Sequence, residues 1–142
     1  MRFGFVLLGA VFLLGCGESH PPVYPVTGVV TYNGQPVAEA EVVFLPQGEA
    51  AATAPSGTTD AAGRYALTTF FSAESQVIGA QPGSYKVTVT KWEIPSGIVD
   101  PYKKDTPQPK HLLPEKFSLP QQTPFTATVE TKSNNIPLDL KD

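Results

Sequence analysis

Cysteine is nearly absent: the 142-residue chain has one, Cys16, so no disulfide can form within it and no cluster of thiolates can hold zinc. Histidine is scarce as well, His20 and His111 being the only two, which leaves little for a histidine-based metal site or a Ser-His-Asp relay. Basic residues are few, with 10 Lys and Arg against 13 Asp and Glu and a formal net charge of −3. A surface of that sign gains nothing from nucleic-acid phosphate or anionic lipid, so DNA, RNA and electrostatic membrane binding are excluded as expectations. Long apolar runs are missing too. The longest, Phe3 to Leu14, has 12 residues, whereas crossing a hydrocarbon core takes about 20. Motifs for an enzyme are equally lacking: there is no G-x-S-x-G, no H-E-x-x-H and no glycine-rich phosphate loop.

The apolar run follows the positive charge of Arg2 and ends at Gly15-Cys16, with polar Glu18-Ser19-His20 beyond it. That order reads as a secretory signal, not an anchor helix. Leu13-Leu14-Gly15-Cys16 resembles the bacterial lipobox, although Leu14 stands where a small residue is usual. The resemblance implies that residues 1–15 are removed, that the Cys16 sulfur carries a diacylglycerol and that its freed amine can take a third acyl chain. Each buried methylene contributes ~0.8 kcal/mol, so two or three chains attach a protein durably where one does not. Losing Arg2 leaves nine basic residues against 13 acidic ones, a net charge of −4 on 127 residues. The implied location is the cell envelope, and Gly17, not an aspartate, beside the lipidated residue points to the outer membrane.

Residues 16–25 hold three prolines and no apolar period, which predicts an extended tether of about 3 Å per residue carrying a solvated His20. The chain has 15 prolines and 12 glycines, and from Val26 onward no ten-residue stretch free of both has helical period. Short alternating runs replace it. PVTGVVTY (25–32) places Val26, Gly28, Val30 and Tyr32 on one face, and Asn33-Gly34 supplies a tight turn. AEAEVVFLP (38–46) turns Ala40, Val42 and Phe44 inward. GTT (57–59) and RYALTTF (64–70) read as a hairpin about Asp60–Gly63, where Asp60 accepts from backbone amides. A calcium loop is excluded there because Ala61 and Ala62 offer no oxygen ligand. SYKVTVTKW (84–92) turns Tyr85, Val87 and Val89 inward, and PFTATVET (124–131) and IPLDL (136–140), separated by Ser133-Asn134-Asn135, complete the pattern. The expectation is an all-β, about seven-stranded antiparallel sandwich over residues 26–142.

Val26-x-Gly28-x-Val30, Pro36-Val37, Ala40-x-Val42-x-Phe44, Thr59-Asp60-x-x-Gly63-Arg64-Tyr65 and Pro82-Gly83-x-Tyr85-x-Val87-x-Val89 resemble the carboxypeptidase regulatory-like domain, a transthyretin-like sandwich, over residues 26–91. The segment 113–140 is similar to the tail of small bacterial lipoproteins that carry this domain alone. In larger enzymes the domain accompanies a catalytic unit and does no chemistry itself, so the resemblance implies no enzyme and no cofactor or metal. Transthyretin-like hydrolases rely on several histidines and a Tyr-Arg-Gly-Ser ending, neither of which matches here. Two connections, 70–81 and 93–116, are long enough to suggest binding. They bring four aromatic candidates, Phe70, Phe71, Trp92 and Tyr102, that either cap the sandwich or meet a protein or glycan partner. The expected function is a lipid-anchored structural or interaction module of the envelope, the alternatives being a carbohydrate-binding module and a small envelope enzyme.

Overall fold

A computed structural model describes residues 19–48, 53–94, 102 and 108–142; Cys16 and the apolar run before it lie outside the described residues. The β segments are β1 (Val26–Tyr32), β2 (Gln35–Pro36), β3 (Glu41–Pro46), β4 (Ser56–Thr58), β5 (Arg64–Ala66), β6 (Thr68–Phe70), β7 (Gln76–Ile78), β8 (Gly83–Thr90), β9 (Trp92–Glu93), β10 (Lys110–His111), β11 (Thr126–Val129), β12 (Asn134–Asn135) and β13 (Leu138–Leu140). A single 3-10 turn, Glu115–Phe117, is the one helical element among the described residues. The fold is an all-β sandwich.

Period-two alternation builds the inner faces. One sheet is centred on β1, flanked by β12 and β13 on one side and by β2 and β5 on the other; the second runs β11-β8-β3-β4-β6-β7. Val26, Val30, Tyr65, Leu138 and Leu140 of the first sheet are buried with Val42, Phe44, Tyr85, Val87, Val89 and Val129 of the second. The Phe44 and Tyr65 rings meet across the layers at 6.4 Å. β-branched valines stiff at χ1 suit this pleated, half-covered surface. The inward residues expected from β1, β3 and β8 are all buried or half-buried. Thr88, expected outward, is buried as well.

The topology departs from the expected pattern in three places. First, β1 pairs in parallel with β12 and β13, so the sandwich is not purely antiparallel. Second, the Asp60 turn does not close a hairpin: β4 belongs to the second sheet and β5 to the first. Its local geometry is as expected, with Asp60 Oδ1 accepting from the Ala62 and Arg64 amides at 2.9 Å and Gly63 at φ +76°. RYALTTF then changes sheets at Leu67, whose N–H donates to Val26 while its carbonyl accepts from Gly79. Buried completely, Leu67 anchors that corner. Third, the 70–81 connection is largely a hairpin, with β6 and β7 paired Thr68 to Ile78 and Phe70 to Gln76.

Two buried polar bolts complete the frame. Tyr85 donates its hydroxyl to the carbonyl of Gln81, four residues upstream, at 2.6 Å, resembling the tyrosine corner of Greek-key sandwiches. Asn134, expected in a turn, is 8 % exposed; its amide nitrogen donates to Glu130 and Lys132 carbonyls and its oxygen accepts from the Glu130 amide.

Candidate functional site

Strand direction decides which candidates can share a site. β8 runs away from the tether and delivers Trp92 just past its end, while β6 runs toward the tether and delivers Phe70 and Phe71. Register quantifies the separation: Thr90 lies opposite Glu41, Val43 opposite Ser56, and Ser56 opposite Thr68, which puts Phe70 level with Lys86. Six residues from 86 to 92, at ~3.3 Å each, span about 20 Å along the strands. Phe70 and Phe71 therefore lie at the opposite end of the sandwich from Trp92 and do not form one site with it.

At the far end, β9 and β10 form a small ribbon, pairing Trp92 with His111 and Glu93 with Lys110. Trp92 is 56 % exposed and meets the His111 ring edge-on at 5.0 Å. With Ile94 and Pro109 it lines an open apolar groove of about 490 Å³. Tyr102 is almost wholly exposed. His111 accepts from the Lys91 amide through Nε2 at 3.3 Å, and its Nδ1 is buried without a hydrogen-bond partner among the described residues. Held edge-on to Trp92 by that contact, the ring forms a wall of the ribbon. Beside it, Tyr32 donates to the Asp142 carboxylate, which also accepts from Asn33 Nδ2 at 3.0 Å. That hydrogen bond raises the Tyr32 pKa and lowers that of Asp142.

At the near end, Phe71 stacks on His20 at 5.1 Å, and Ser19, His20 and Pro21 line a shallow cleft with Phe71, Ser72 and Ser75. Tyr24 exchanges two backbone bonds of 2.9 Å with Ala80, and Pro25 accepts from the Asn134 amide. Over residues 19–25 the expected free leash is thus laid against the body. Phe70, 53 % exposed, faces outward on the β6–β7 hairpin.

Chemistry finds little to work with between these ends. Among the described residues no group of three His, Cys, Asp or Glu is placed to hold a metal ion. Tyr65 and Tyr85 have their pKa values raised by burial, which keeps both hydroxyls protonated and donating, Tyr65 to the Ile136 carbonyl at 2.6 Å. No protein-family model matches the chain, and no curated protein matches it.

Proposed function

We propose that this chain is an exported bacterial lipoprotein, anchored in the envelope by acyl groups on Cys16, whose sandwich recognises or scaffolds a partner and performs no catalysis. The observation that carries the reading is positional: the only cysteine closes a 12-residue apolar run and stands three residues before Ser19, where the chain meets the sandwich. A thiol there is placed for attachment and serves no folding purpose. Membership of the carboxypeptidase regulatory-like family is part of the proposal. Its support is that the quoted motifs fall at structurally demanding points: crowded Gly28, the Asp60–Gly63 turn, and the Pro82-Gly83-x-Tyr85 corner.

Growth with a radiolabelled fatty acid tests the anchor. Wild-type protein incorporates label and partitions into detergent, and Cys16→Ser does neither; equal labelling of the two would remove the proposal. The exposed Trp92–Ile94–Pro109 groove favours a second reading, a module that stacks sugar rings at the far end. Glycan-array binding abolished by Trp92→Ala would establish it, and an array without signal would leave a protein partner as the occupant.

A further inference from the structure

We propose that the β6–β7 hairpin is a membrane-contact element: its outer face, Phe70 and Ile78, rests in the headgroup region of the bilayer that holds the Cys16 lipid. The inference rests on the lipoprotein reading and adds an orientation to it. Pairing of Thr68 with Ile78 and of Phe70 with Gln76 puts Phe70 and Ile78 on one face as diagonal neighbours, opposite buried Thr69. They are 53 % and 72 % exposed.

The length of chain between lipid and body selects the occupant of that face. Three residue steps separate Cys16 from Ser19, and three extended residues span at most about 11 Å. Ser19 lies in the cleft with Phe71, Ser72 and Ser75, at the tip of the same hairpin. A sulfur bonded to glycerol sits at the headgroup level, so Ser19 lies within about 11 Å of the anchored residue and the hairpin tip that shares its cleft has the lipid surface as a neighbour. The tether has little freedom to swing away. Pro21 and Pro22 fix their φ angles, His20 stacks on Phe71, and Tyr24 is bonded twice to Ala80. Charge selects the mode of contact: Glu74 is the one ionisable group in the 71–75 turn, and the nearby turn carries the Glu130–Lys132 pair at 2.9 Å. Residues 68–78 contain no Lys or Arg to attract anionic lipid, so apolar insertion is what the hairpin face offers. For both residues to reach lipid the sandwich leans on this edge, with the Trp92 groove at its opposite end and past a strand three positions away from β6 in the sheet.

Tryptophan quenching by lipids brominated near the headgroup reads this directly, using full-length lipidated protein in phosphatidylcholine vesicles. Wild-type Trp92 serves as the far-end reporter, and the double variants Phe70→Trp/Trp92→Phe and Ile78→Trp/Trp92→Phe move the only indole to the hairpin. Both variants are expected to lose roughly half their emission, as groups buried 5–10 Å into the interface do, while wild type loses almost none. Circular dichroism checks that the variants fold; since both positions are exposed and outward, either one alone suffices. Protein that floats with the vesicles yet shows no quenching at 70 or 78 overturns the proposal and leaves the lipid anchor standing. Wild type that fails to float removes the anchor, and this proposal with it.

Discussion

Replacing Gly28 with alanine inserts a single methyl group at the most crowded backbone position of β1. An added Cβ would overlap the carbonyl oxygen of Ile136 and approach Tyr65 Cε1 to 2.7 Å. Neither neighbour can yield freely. The Ile136 amide donates to Thr27 at 2.8 Å and its carbonyl accepts the Tyr65 hydroxyl at 2.6 Å, so moving the peptide breaks both contacts. Overpacking of this kind costs about 1–3 kcal/mol. Stranding the Tyr65 hydroxyl, in a side chain 3 % exposed, adds about 1–3 kcal/mol. The smaller backbone entropy of alanine in the unfolded chain returns roughly 0.4–1 kcal/mol. The net loss spans about 1–6 kcal/mol, and its midpoint of about 3 kcal/mol lowers the melting temperature of a domain of this size by roughly 10 °C.

Thermal and urea melts followed by circular dichroism measure that loss. Gly34→Ala is the internal standard, because Gly34 has φ +84° and nothing within 4 Å, so only left-handed strain of about 1–2 kcal/mol applies. Tyr65→Phe isolates the hydrogen bond, and in that background Gly28→Ala should cost less by the same component. A Gly28→Ala protein that melts within about 2 °C of wild type, or no worse than Gly34→Ala, refutes the argument from crowding.

Removing the Asn134 side chain strands the Glu130 amide and two carbonyls, and Asn134→Ala should lose about 2–4 kcal/mol in urea titration, well above the loss for exposed Asn135→Ala. Asp60→Ala removes an exposed acceptor of two amides and should cost only about 1 kcal/mol in the same assay, since water replaces it. The Tyr32–Asp142 contact has a signed pH dependence. Asp142, with its pKa lowered from 3.8, contributes stability above that value and loses it as pH falls; Tyr32, raised from 10.0, contributes below that value and loses it as pH rises. The stability difference between wild type and Tyr32→Phe should therefore be widest from about pH 5 to 9 and narrow on both sides, and a difference that stays flat with pH contradicts the pairing. In alkaline absorbance titration Tyr65 and Tyr85, raised by burial, should ionise only as the protein unfolds.

Alternation told which side of a strand faces inward, and for β1, β3 and β8 that was enough to name their core residues. It carries no information on the partner of a strand. Nothing in IPLDL distinguishes a parallel neighbour of β1 from an antiparallel one, and RYALTTF keeps one period while its backbone bonds pass from one sheet to the other at Leu67. β7 was passed over because Gln76-Val77-Ile78 turns only Val77 inward, too short a pattern to stand out beside Gly79. Ser133-Asn134-Asn135 has turn composition, and burial of Asn134 depends on carbonyls that the fold assembles around it.

The candidate site was legible as residues but not as a place. Phe70, Phe71, Trp92 and Tyr102 all border long connections, and only the strand directions separate Phe70 and Phe71 from Trp92. In the sheet β6 and β8 run in opposite directions and end at opposite edges, a relation set by the spatial order β8-β3-β4-β6 and not by counting reversals along the chain, because β7 lies between them in sequence. The tether was read as extended from its prolines alone, whereas the docking of residues 19–25 depends on Phe71, Ala80 and Asn134, 46 or more residues away in sequence.

Intact-mass analysis of protein extracted from the membranes of bacteria expressing the full chain addresses the central claim most directly. The account predicts a polypeptide that begins at Cys16 and carries the added mass of a diacylglycerol with or without an amide-linked acyl chain. A membrane-extracted chain that begins elsewhere, or that retains a free thiol at Cys16, contradicts it.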